Sequence, residues 1–318
     1  MHNIIKFKIT IPIFKNNRIR LDKGLSLLLP EYSRSYLKKW ILNNQIYIDN
    51  RLCNKPSTIL KGKILIVHES IKLDRLEIPE KIPLDIIYED KYLMIINKPS
   101  GLVVHPGAGN LTGTMLNAIL FKLYDNIIIP RAGIVHRLDK DTTGLIIVAK
   151  TLNSYHELIL QLKKRIVIRE YKVLVEGQLN CNGTIRYPIS RHTLKRTTMT
   201  INPHGKIAIT HFKVLKLFKN FTYLKVRLET GRTHQIRVHM AYINHAIVGD
   251  PVYFNQRQKT LIKDIKDNIK VLNDFHRQAL HAAKIRLVHP KTKKIMQWKI
   301  NLPNDMQRLL NYLKKNNL

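Results

Sequence analysis

The sequence contains few cysteines and few acidic residues, and it has no long hydrophobic run. Its two cysteines, Cys53 and Cys181, are far apart and offer neither a disulfide framework nor the spacing of a zinc site. No stretch approaches the roughly 18 apolar residues of a membrane span, and basic residues interrupt positions 1–21. We therefore expect a folded, soluble protein of the reducing cytoplasm, without a signal peptide or membrane span.

Because acidic residues are few, the chain has a large positive net charge. The chain carries 55 Lys and Arg against 22 Asp and Glu, a formal net charge of +33. A surplus of this size indicates a polyanionic partner, with RNA or DNA as the first expectation. The chain is also rich in Ile, Lys and Asn, as an AT-rich genome would produce regardless of function, so charge alone leaves the partner open.

A length of 318 residues allows two domains. Residues 19–67 form the core of a predicted small α+β unit spanning 1–75, in which a basic helix capped by Ser33 precedes short strands. The helix has an apolar side and a basic side, formed by Tyr36, Leu37, Trp40 and Ile41 and by Arg34, Lys38 and Lys39 respectively. The basic side predicts either RNA contact or an ordinary solvated helix face.

A charged segment with Pro79 and Pro83 predicts a linker at residues 76–83, followed by a second domain at 84–318. Strands predominate there, at 93–96, 102–104, 133–135, 145–148, 171–175 and 223–228, and helices are expected at 114–120, at 153–165 and from about 233. This order indicates an α+β domain with a mixed, mainly antiparallel sheet, because regular βαβ winding is missing.

The densest polar cluster lies between two of these apolar strands. Residues 136–143 include Asp139 and Asp141 together with several cations and hydroxyls. Such a loop between buried strands is a candidate active site. The alternative is that Asp139 and Asp141 only organise the turn through side-chain to backbone hydrogen bonds.

A second polar cluster spans residues 229–239. Thr233 can cap the helix that follows, which places Arg232 at a strand-to-helix junction where its guanidinium can reach a carboxylate or a phosphate. An ordinary basic helix start is the alternative. His234 and His239 are five residues apart rather than four, so they do not form a zinc-protease pair, and we predict no metal site.

Cofactor motifs are also missing. Residues 107–113 resemble a dinucleotide-binding loop, but the glycine spacing is one residue too long and the βαβ context is absent. The sequence also lacks the Gly-Lys-Ser/Thr phosphate loop. We therefore expect chemistry that needs neither a nucleotide nor a redox cofactor.

Three segments, in order, resemble the RluA family of pseudouridine synthases: residues 97–102 (NKPSGL), 136–139 (HRLD) and 231–237 (GRTHQIR). Residues 20–22 and 32–35 resemble an S4 RNA-binding domain. The resemblance implies an N-terminal S4-like domain, a pseudouridine synthase catalytic domain and isomerisation of uridine in RNA. It favours RNA contact by Arg34, Lys38 and Lys39 over the solvated face.

The resemblance also implies roles for single residues. Asp139 would be the nucleophile, Arg232 its charge partner and Tyr171 the platform on which the uracil stacks, with a hydroxyl that assists proton removal from C5. Arg137, beside His136, would occupy the space that a flipped uridine vacates. Whether Asp139 attacks ribose or uracil, or assists elimination, stays open.

The implied partner is large-subunit ribosomal RNA or its assembly intermediate, with target uridines in an intersubunit-bridge hairpin. The sequence leaves the oligomeric state open, with a monomer as the expectation. Two other classes remain in competition. One is a non-enzymatic S4-type RNA-binding or ribosome-assembly factor, in which retention of Asp139, Tyr171 and Arg232 together would be unexpected. The other is a metal-dependent nuclease, which would need clustered carboxylates where these motifs pair carboxylates with arginines.

Overall fold

The computed structural model describes residues 4–12, 18–29, 34–70, 78–107, 109–123, 129–195, 197–253, 272 and 274–316. The chain divides into two compact units, residues 1–78 and 79–318. The predicted cap Ser33 and most of the lysine-rich stretch 254–275 lie outside the described residues. In the part of the chain that the structure describes, no helix is long and apolar enough to cross a membrane.

The first unit is a small sheet covered by two helices. Its elements are β1 (Ile4–Thr10), α1 (Leu21–Leu28), α2 (Arg34–Leu42), β2 (Ile46–Ile48), β3 (Arg51–Leu52) and β4 (Ile64–Ser70), and the strand order is β1-β4-β2-β3. The turn between β2 and β3 places Asp49 and Asn50 at positive φ, which these residue types tolerate better than most. The expected basic helix is therefore α2.

The core of this unit explains why α2 is amphipathic. Leu37, Trp40 and Ile41 are almost fully buried, and they pack with Leu21 and Leu25 of α1 and with the apolar face of the sheet. Lys38 and Lys39 are exposed on the other side of the helix. Packing of the apolar stripe thus fixes which side of α2 is positive.

The second unit holds the remaining elements. In chain order they are β5 (Asp85–Glu89), β6 (Leu93–Lys98), α3 (Met115–Lys122), β7 (Thr143–Ala149), α4 (Leu152–Lys163), β8 (Ile168–Glu176), β9 (Gly183–Arg186), β10 (Ile189–Arg191), β11 (Met199–Ile201), β12 (Ile209–Leu217), β13 (Phe221–Leu228), α5 (Gln235–Tyr242), β14 (Leu280–Val288), β15 (Ile295–Lys299) and α6 (Asn304–Lys315). Thr114 caps α3 in a capping box with Asn117.

Nine of these strands form one sheet in the order β5-β6-β7-β14-β8-β13-β12-β9, with β15 also paired to β14, and β10 and β11 form a separate hairpin. Neighbouring strands are antiparallel except for the short parallel pairing of β14 with β7. The expectation of an α+β fold with a mixed, mainly antiparallel sheet is confirmed.

Strands β6 and β7 are buried on both faces, and residues 93–96 and 145–149 are accordingly all apolar. Alternate residues of the two strands, such as Met94 and Ile146, pack toward α3, while Leu93 and Leu145 pack on the other face with residues of α4. These two layers of packing hold the β7 end of the loop that contains Asp139.

Other predicted boundaries shift. The predicted strand at 102–104 has no regular structure, and in the predicted strand at 133–135 Gly133 ends a 3-10 helix and Ile134 forms a single bridge to Val148. Within the predicted linker 76–83, Glu80 is bound to the second unit, because its carboxylate accepts a hydrogen bond from the amide of Gly113 at 3.0 Å. The Glu80 side chain thus attaches part of the predicted linker to the second unit, a contact that sequence patterns do not reveal.

Candidate active site

The loop that carries Asp139 lies between a left-handed turn and β7. Arg131 and Ala132 have φ of 58° and 50°, and the chain then passes Ile134, which bridges to Val148 of β7. Such conformations strain the backbone of non-glycine residues, and they persist only where the surrounding structure enforces them. The turn brings residues 136–139 alongside β7 before the chain enters that strand.

Lys98, at the end of β6, stabilises the loop that carries Asp139 through hydrogen bonds to backbone carbonyls. Its side chain is fully buried, and its Nζ donates to the carbonyls of Pro99 at 2.7 Å, Leu102 at 2.9 Å and Lys140 at 2.7 Å. Burial lowers the pKa of Lys98 to about 7, and the charges of Asp141 and Asp139 oppose this shift. The bond to Lys140 fastens the residue next to Asp139.

The residues that precede β14 fasten the other side of the loop. Arg277 Nη1 donates to the Asp141 carbonyl at 3.3 Å, and Gln278 Nε2 donates to Thr142 Oγ1 at 3.0 Å. Inside the loop, the turn is closed by the backbone bond from Thr142 N to the Asp139 carbonyl at 3.2 Å. The Asp139 carboxylate is thus directed to a partner outside its own loop.

That partner is Arg237 on α5. Its Nη1 lies 3.0 Å from Asp139 Oδ2, while its Nε and Nη2 bind the two oxygens of Asp250 at 2.7 and 2.8 Å. Burial lowers the pKa of Arg237, but the hydrogen bonds and charges of Asp250 and Asp139 outweigh it and raise this pKa above its ordinary value. One guanidinium therefore joins two carboxylates in a buried network.

The sequence prediction that Arg232 pairs with Asp139 is wrong. Arg232 is exposed, and its Nε donates to the carbonyl of Ile207 at 3.2 Å. The physical reason is tertiary packing: α5 begins at Gln235, with His234 and not the expected Thr233 as its N-cap, and it buries Arg237 against Asp139 and Asp250. Arg232 therefore precedes the helix, while Arg237 lies on its buried surface.

His234 also faces Asp139, with its Nε2 3.8 Å from Asp139 Oδ1. The hydroxyl of Tyr253 accepts from the Met199 amide at 2.7 Å and lies 2.7 Å from His234 Nδ1. In the neutral tautomer that carries its proton on Nε2, His234 would accept from the Tyr253 hydroxyl at Nδ1 and present Nε2–H toward Asp139. Burial lowers the pKa of His234, which favours this neutral form.

Tyr171 lies on β8 and lines the same cavity as Asp139. The residue is 5% exposed, and burial raises the pKa of its hydroxyl, with the Arg169 charge lowering it and the Asp139 charge raising it. The hydroxyl is thus neutral at physiological pH. The structure places Tyr171 and Asp139 on one cavity, as the sequence predicted for a stacking platform and a nucleophile.

His136 and Arg137 are adjacent in sequence but differ in environment. His136 Nε2 accepts a hydrogen bond from the Ile147 amide of β7 at 3.0 Å, and burial together with the Arg169 charge lowers the pKa of this imidazole to about 3. Arg137 is exposed at the cavity and makes no hydrogen bond with the described residues. RNA contact by His136 and base flipping by Arg137 stay predictions.

In the first unit, Arg34 has a structural partner. Its Nη2 lies 2.6 Å from Oδ2 of buried Asp22, which Arg20 also contacts at 3.2 Å. Burial raises the pKa of Asp22, but the bonds and charges of Arg34 and Arg20 outweigh this and leave it lowered. More than half of the Arg34 side chain remains exposed, at 57%, so the ion pair leaves room for RNA contact by Arg34.

The cavity around Asp139 has a volume of about 810 Å³. Its lining includes every predicted site residue of the second unit, namely Asp139, Tyr171, Arg232, Arg137 and His136, together with Arg237, Arg169 and Arg131. Among the described residues, no group of three or more His, Cys, Asp or Glu is arranged to hold a metal ion. The cavity combines the carboxylate of Asp139 with several arginines, and its second carboxylate, Glu229, is bound by Arg165 and His211 at 2.7 Å each.

Sequence reasoning missed Arg237, Asp250 and Lys98. Arg237 and Lys98 lie inside the segments 231–237 and 97–102 that carry the family resemblance, but nothing in the sequence separated Arg237 from Arg232. One available signal was that Asp250 stands among the apolar residues of 246–252, where a buried carboxylate would require a cation.

Comparisons with known proteins agree with both units. The family description "RNA pseudouridylate synthase" matches residues 92–242, and that of the S4 domain matches residues 19–63. The ribosomal large subunit pseudouridine synthase D of Buchnera aphidicola subsp. Acyrthosiphon pisum (strain APS) is 51% identical over 293 residues, which cover 92% of this chain and 93% of that protein. Its counterpart in Escherichia coli (strain K12) is 47% identical over 296 residues, covering 93% and 90%.

Among solved structures, human RNA pseudouridylate synthase domain containing 1 aligns with a TM-score of 0.53 over 76% of this chain and 97% of that one, at 21% sequence identity. Human RNA pseudouridylate synthase domain containing 4 gives a TM-score of 0.54 over 72% and 93%, also at 21% identity. These two likenesses concern the fold alone.

Proposed function

Because the chain belongs to the RluA family of RNA pseudouridine synthases, we propose that it isomerises uridines of large-subunit ribosomal RNA, with Asp139 as the nucleophile. The observation that carries the proposal is the pairing of Asp139 with Arg237 at 3.0 Å in a cavity that Tyr171 also lines. The relatives that align over nearly its full length are named as ribosomal large subunit pseudouridine synthases, and these names support large-subunit ribosomal RNA as the substrate.

The reaction replaces the N-glycosidic bond of the nucleoside with a C-glycosidic bond. The C1′–N1 glycosidic bond breaks, the uracil turns, a C1′–C5 bond forms, C5 loses its proton and N1 gains one, so uridine and pseudouridine are isomers. An ionised carboxylate can serve as a covalent nucleophile, and an ion pair with a guanidinium stabilises the ionised form. Arg237 thus prepares Asp139 for this step.

A uridine within folded RNA must leave its stack to reach Asp139, at a cost of a few kcal/mol. Arg137 is suited to fill the vacated space, because its side chain is exposed at the cavity beside the nucleophile. Tyr171 offers its ring as a stacking surface for the flipped uracil, and its neutral hydroxyl assists transfer of the C5 proton.

The S4-like unit would hold the RNA. The exposed lysines of α2, Lys38 and Lys39, form with Arg34 a positive surface on the side of the helix opposite its core. Contacts of this kind to phosphates supply affinity without sequence information. By family resemblance, the target would be uridines of an intersubunit-bridge hairpin.

Two experiments test the proposal. Carbodiimide mapping of ribosomal RNA, with and without the gene, should show pseudouridines that disappear with the gene and return with the wild-type copy. Unchanged maps would instead favour an RNA-binding assembly factor. Purified Asp139→Asn protein should bind the same RNA yet form no pseudouridine, and continued formation by this variant would refute the nucleophile.

A further inference from the structure

Arg169 on β8 is a buried cation whose hydrogen-bonding capacity is unused. It is 8% exposed, its Nε is buried without a hydrogen-bond partner, and in the described part of the chain no group accepts a hydrogen bond from its guanidinium. Burying a charge without a partner costs free energy. An acceptor that arrives with the substrate would remove this cost.

The guanidinium lies on the wall of the catalytic cavity. Arg169 and Tyr171 are two residues apart on β8, so they point to the same face of the sheet, and both line the cavity. The Arg169 charge affects the pKa of both Tyr171 and His136, which shows that it is close to them. Its Nη1 passes over Gly231, where an added Cβ would lie only 2.8 Å away.

The charges of the cavity leave Arg169 without a fixed counter-ion. Arg237 is shared by Asp139 and Asp250. Arg131, Arg137 and Arg232 are exposed, so they can meet phosphates of an RNA backbone from solvent. Arg169 is 8% exposed and Tyr171 is 5% exposed, so a base stacked on Tyr171 would meet Arg169, whereas a backbone phosphate would meet the exposed arginines.

We infer that Arg169 is a substrate-binding residue that donates hydrogen bonds to a carbonyl oxygen of the flipped uracil. The inference rests on the proposed function, because it requires a uridine to enter this cavity. Elimination and attack on ribose both leave the electron pair of the C1′–N1 bond on the uracil, and attack on the ring gives an enolate. All three routes increase negative charge on a uracil carbonyl oxygen, so the bond to Arg169 strengthens as the reaction proceeds.

A binding experiment separates base contact from phosphate contact. Fluorescence anisotropy would compare an RNA hairpin that the wild-type enzyme modifies with the same hairpin carrying an abasic nucleotide at the target. We expect Arg169→Gln to weaken binding of the uridine hairpin by roughly 10- to 100-fold and to leave the abasic hairpin unaffected. Arg227→Gln, which removes an exposed cation outside the cavity, should retain the wild-type difference between the two hairpins.

Equal weakening for both hairpins would show that Arg169 binds phosphate, and no weakening for either would show that it does not bind substrate. Both results overturn the inference. A wild-type enzyme that modifies no hairpin, or does not distinguish uridine from the abasic site, would instead count against the proposed function itself.

Stability gives an independent readout. Replacing an unpartnered buried cation should leave the Tm of Arg169→Gln equal to or above that of the wild type, while its single-turnover rate falls by about 100-fold. A lower Tm would show that the guanidinium is a structural element and would overturn the inference. Gly231→Ala, which crowds Nη1, should likewise reduce the uridine preference.

Discussion

Arg237 and Asp139, 98 residues apart in sequence, are joined by a single bond of 3.0 Å between Nη1 and Oδ2. The rest of the guanidinium is committed to Asp250. We expect Arg237→Lys to lower the single-turnover rate by about 100-fold or more, because a lysine ammonium cannot hold both carboxylates in this geometry. Rapid-quench assays with saturating enzyme would measure it.

Arg232→Gln is the matched control for this prediction. It removes a cation from the same cavity but not from Asp139, so its single-turnover rate should stay within about threefold of the wild type. If Arg232→Gln slowed the chemical step while Arg237→Lys did not, the ion pair of Arg237 with Asp139 would not be the one that the reaction requires. Circular dichroism of both variants would verify their folding.

Tyr171→Phe keeps the aromatic ring and removes the hydroxyl. We expect RNA affinity to stay near the wild-type value, because stacking needs only the ring, while the single-turnover rate falls by about 100-fold through loss of proton transfer at C5. RNA deuterated at uridine C5 would provide the measurement, since proton removal should become more rate-limiting in the variant. An unchanged rate would limit Tyr171 to stacking.

Arg137→Ala removes the side chain that should replace the flipped uridine in its stack. We expect productive binding to weaken by about 10- to 100-fold, with residual chemistry retained once the base has flipped. Fluorescence of 2-aminopurine placed next to the target uridine reports unstacking directly. A full fluorescence change in the variant, with wild-type affinity, would contradict the assigned role.

His136 should make stability depend on pH. Its pKa is about 3 in the folded protein and about 6.5 in an unfolded chain. The unfolded state therefore binds more protons between these values, and the free energy of unfolding falls by up to about 1.4 kcal/mol for each pH unit below 6.5. Urea unfolding of wild type and His136→Gln at pH 7.5, 6.0 and 5.0 would show this.

The difference between the two proteins isolates His136, since the other histidines are common to both. The wild type should lose stability relative to His136→Gln as the pH falls below 6.5, and their difference should be constant above it. Parallel curves through pH 5.0 would mean that the imidazole becomes protonated in the folded state as readily as in the unfolded one.

Lys38 and Lys39 are expected to contact phosphates. The double variant Lys38→Gln/Lys39→Gln should weaken RNA binding at low salt and reduce the slope of log K against log [salt] by about 2, about 1 for each lost contact. Lys314→Gln, which removes an exposed lysine on α6 of the other unit, is the control and should keep the slope. An unchanged slope in the double variant would make this surface merely a solvated helix face.

Local sequence patterns predicted most elements, because they depend on periodicity that nearby residues share. The helix expected at 153–165 is α4 at Leu152–Lys163, and the strand expected at 171–175 is β8 at Ile168–Glu176. The loop around Asp139 was recognisable since its polar residues interrupt apolar ones. Its contacts were not, because a pairing across 98 residues leaves no local pattern.

The choice between Arg232 and Arg237 shows where such reasoning ends. Both arginines lie in one segment, and Arg232 precedes the helix whether its N-cap is Thr233, as expected, or His234, as found. Residues 235–240 of α5 are all buried, so amphipathic periodicity could not assign a direction to either arginine. Tertiary packing alone makes that assignment.

The position of β14 sets an order of events during protein synthesis. The Asp139 loop leads into β7 and Tyr171 lies on β8, and these strands are not neighbours, because β14 lies between them. Until residues 280–288 have left the ribosome, Asp139 and Tyr171 belong to two groups of strands that β14 has not yet joined. A nascent chain can fold its S4-like unit early, so it should acquire RNA binding before it acquires the ability to modify RNA.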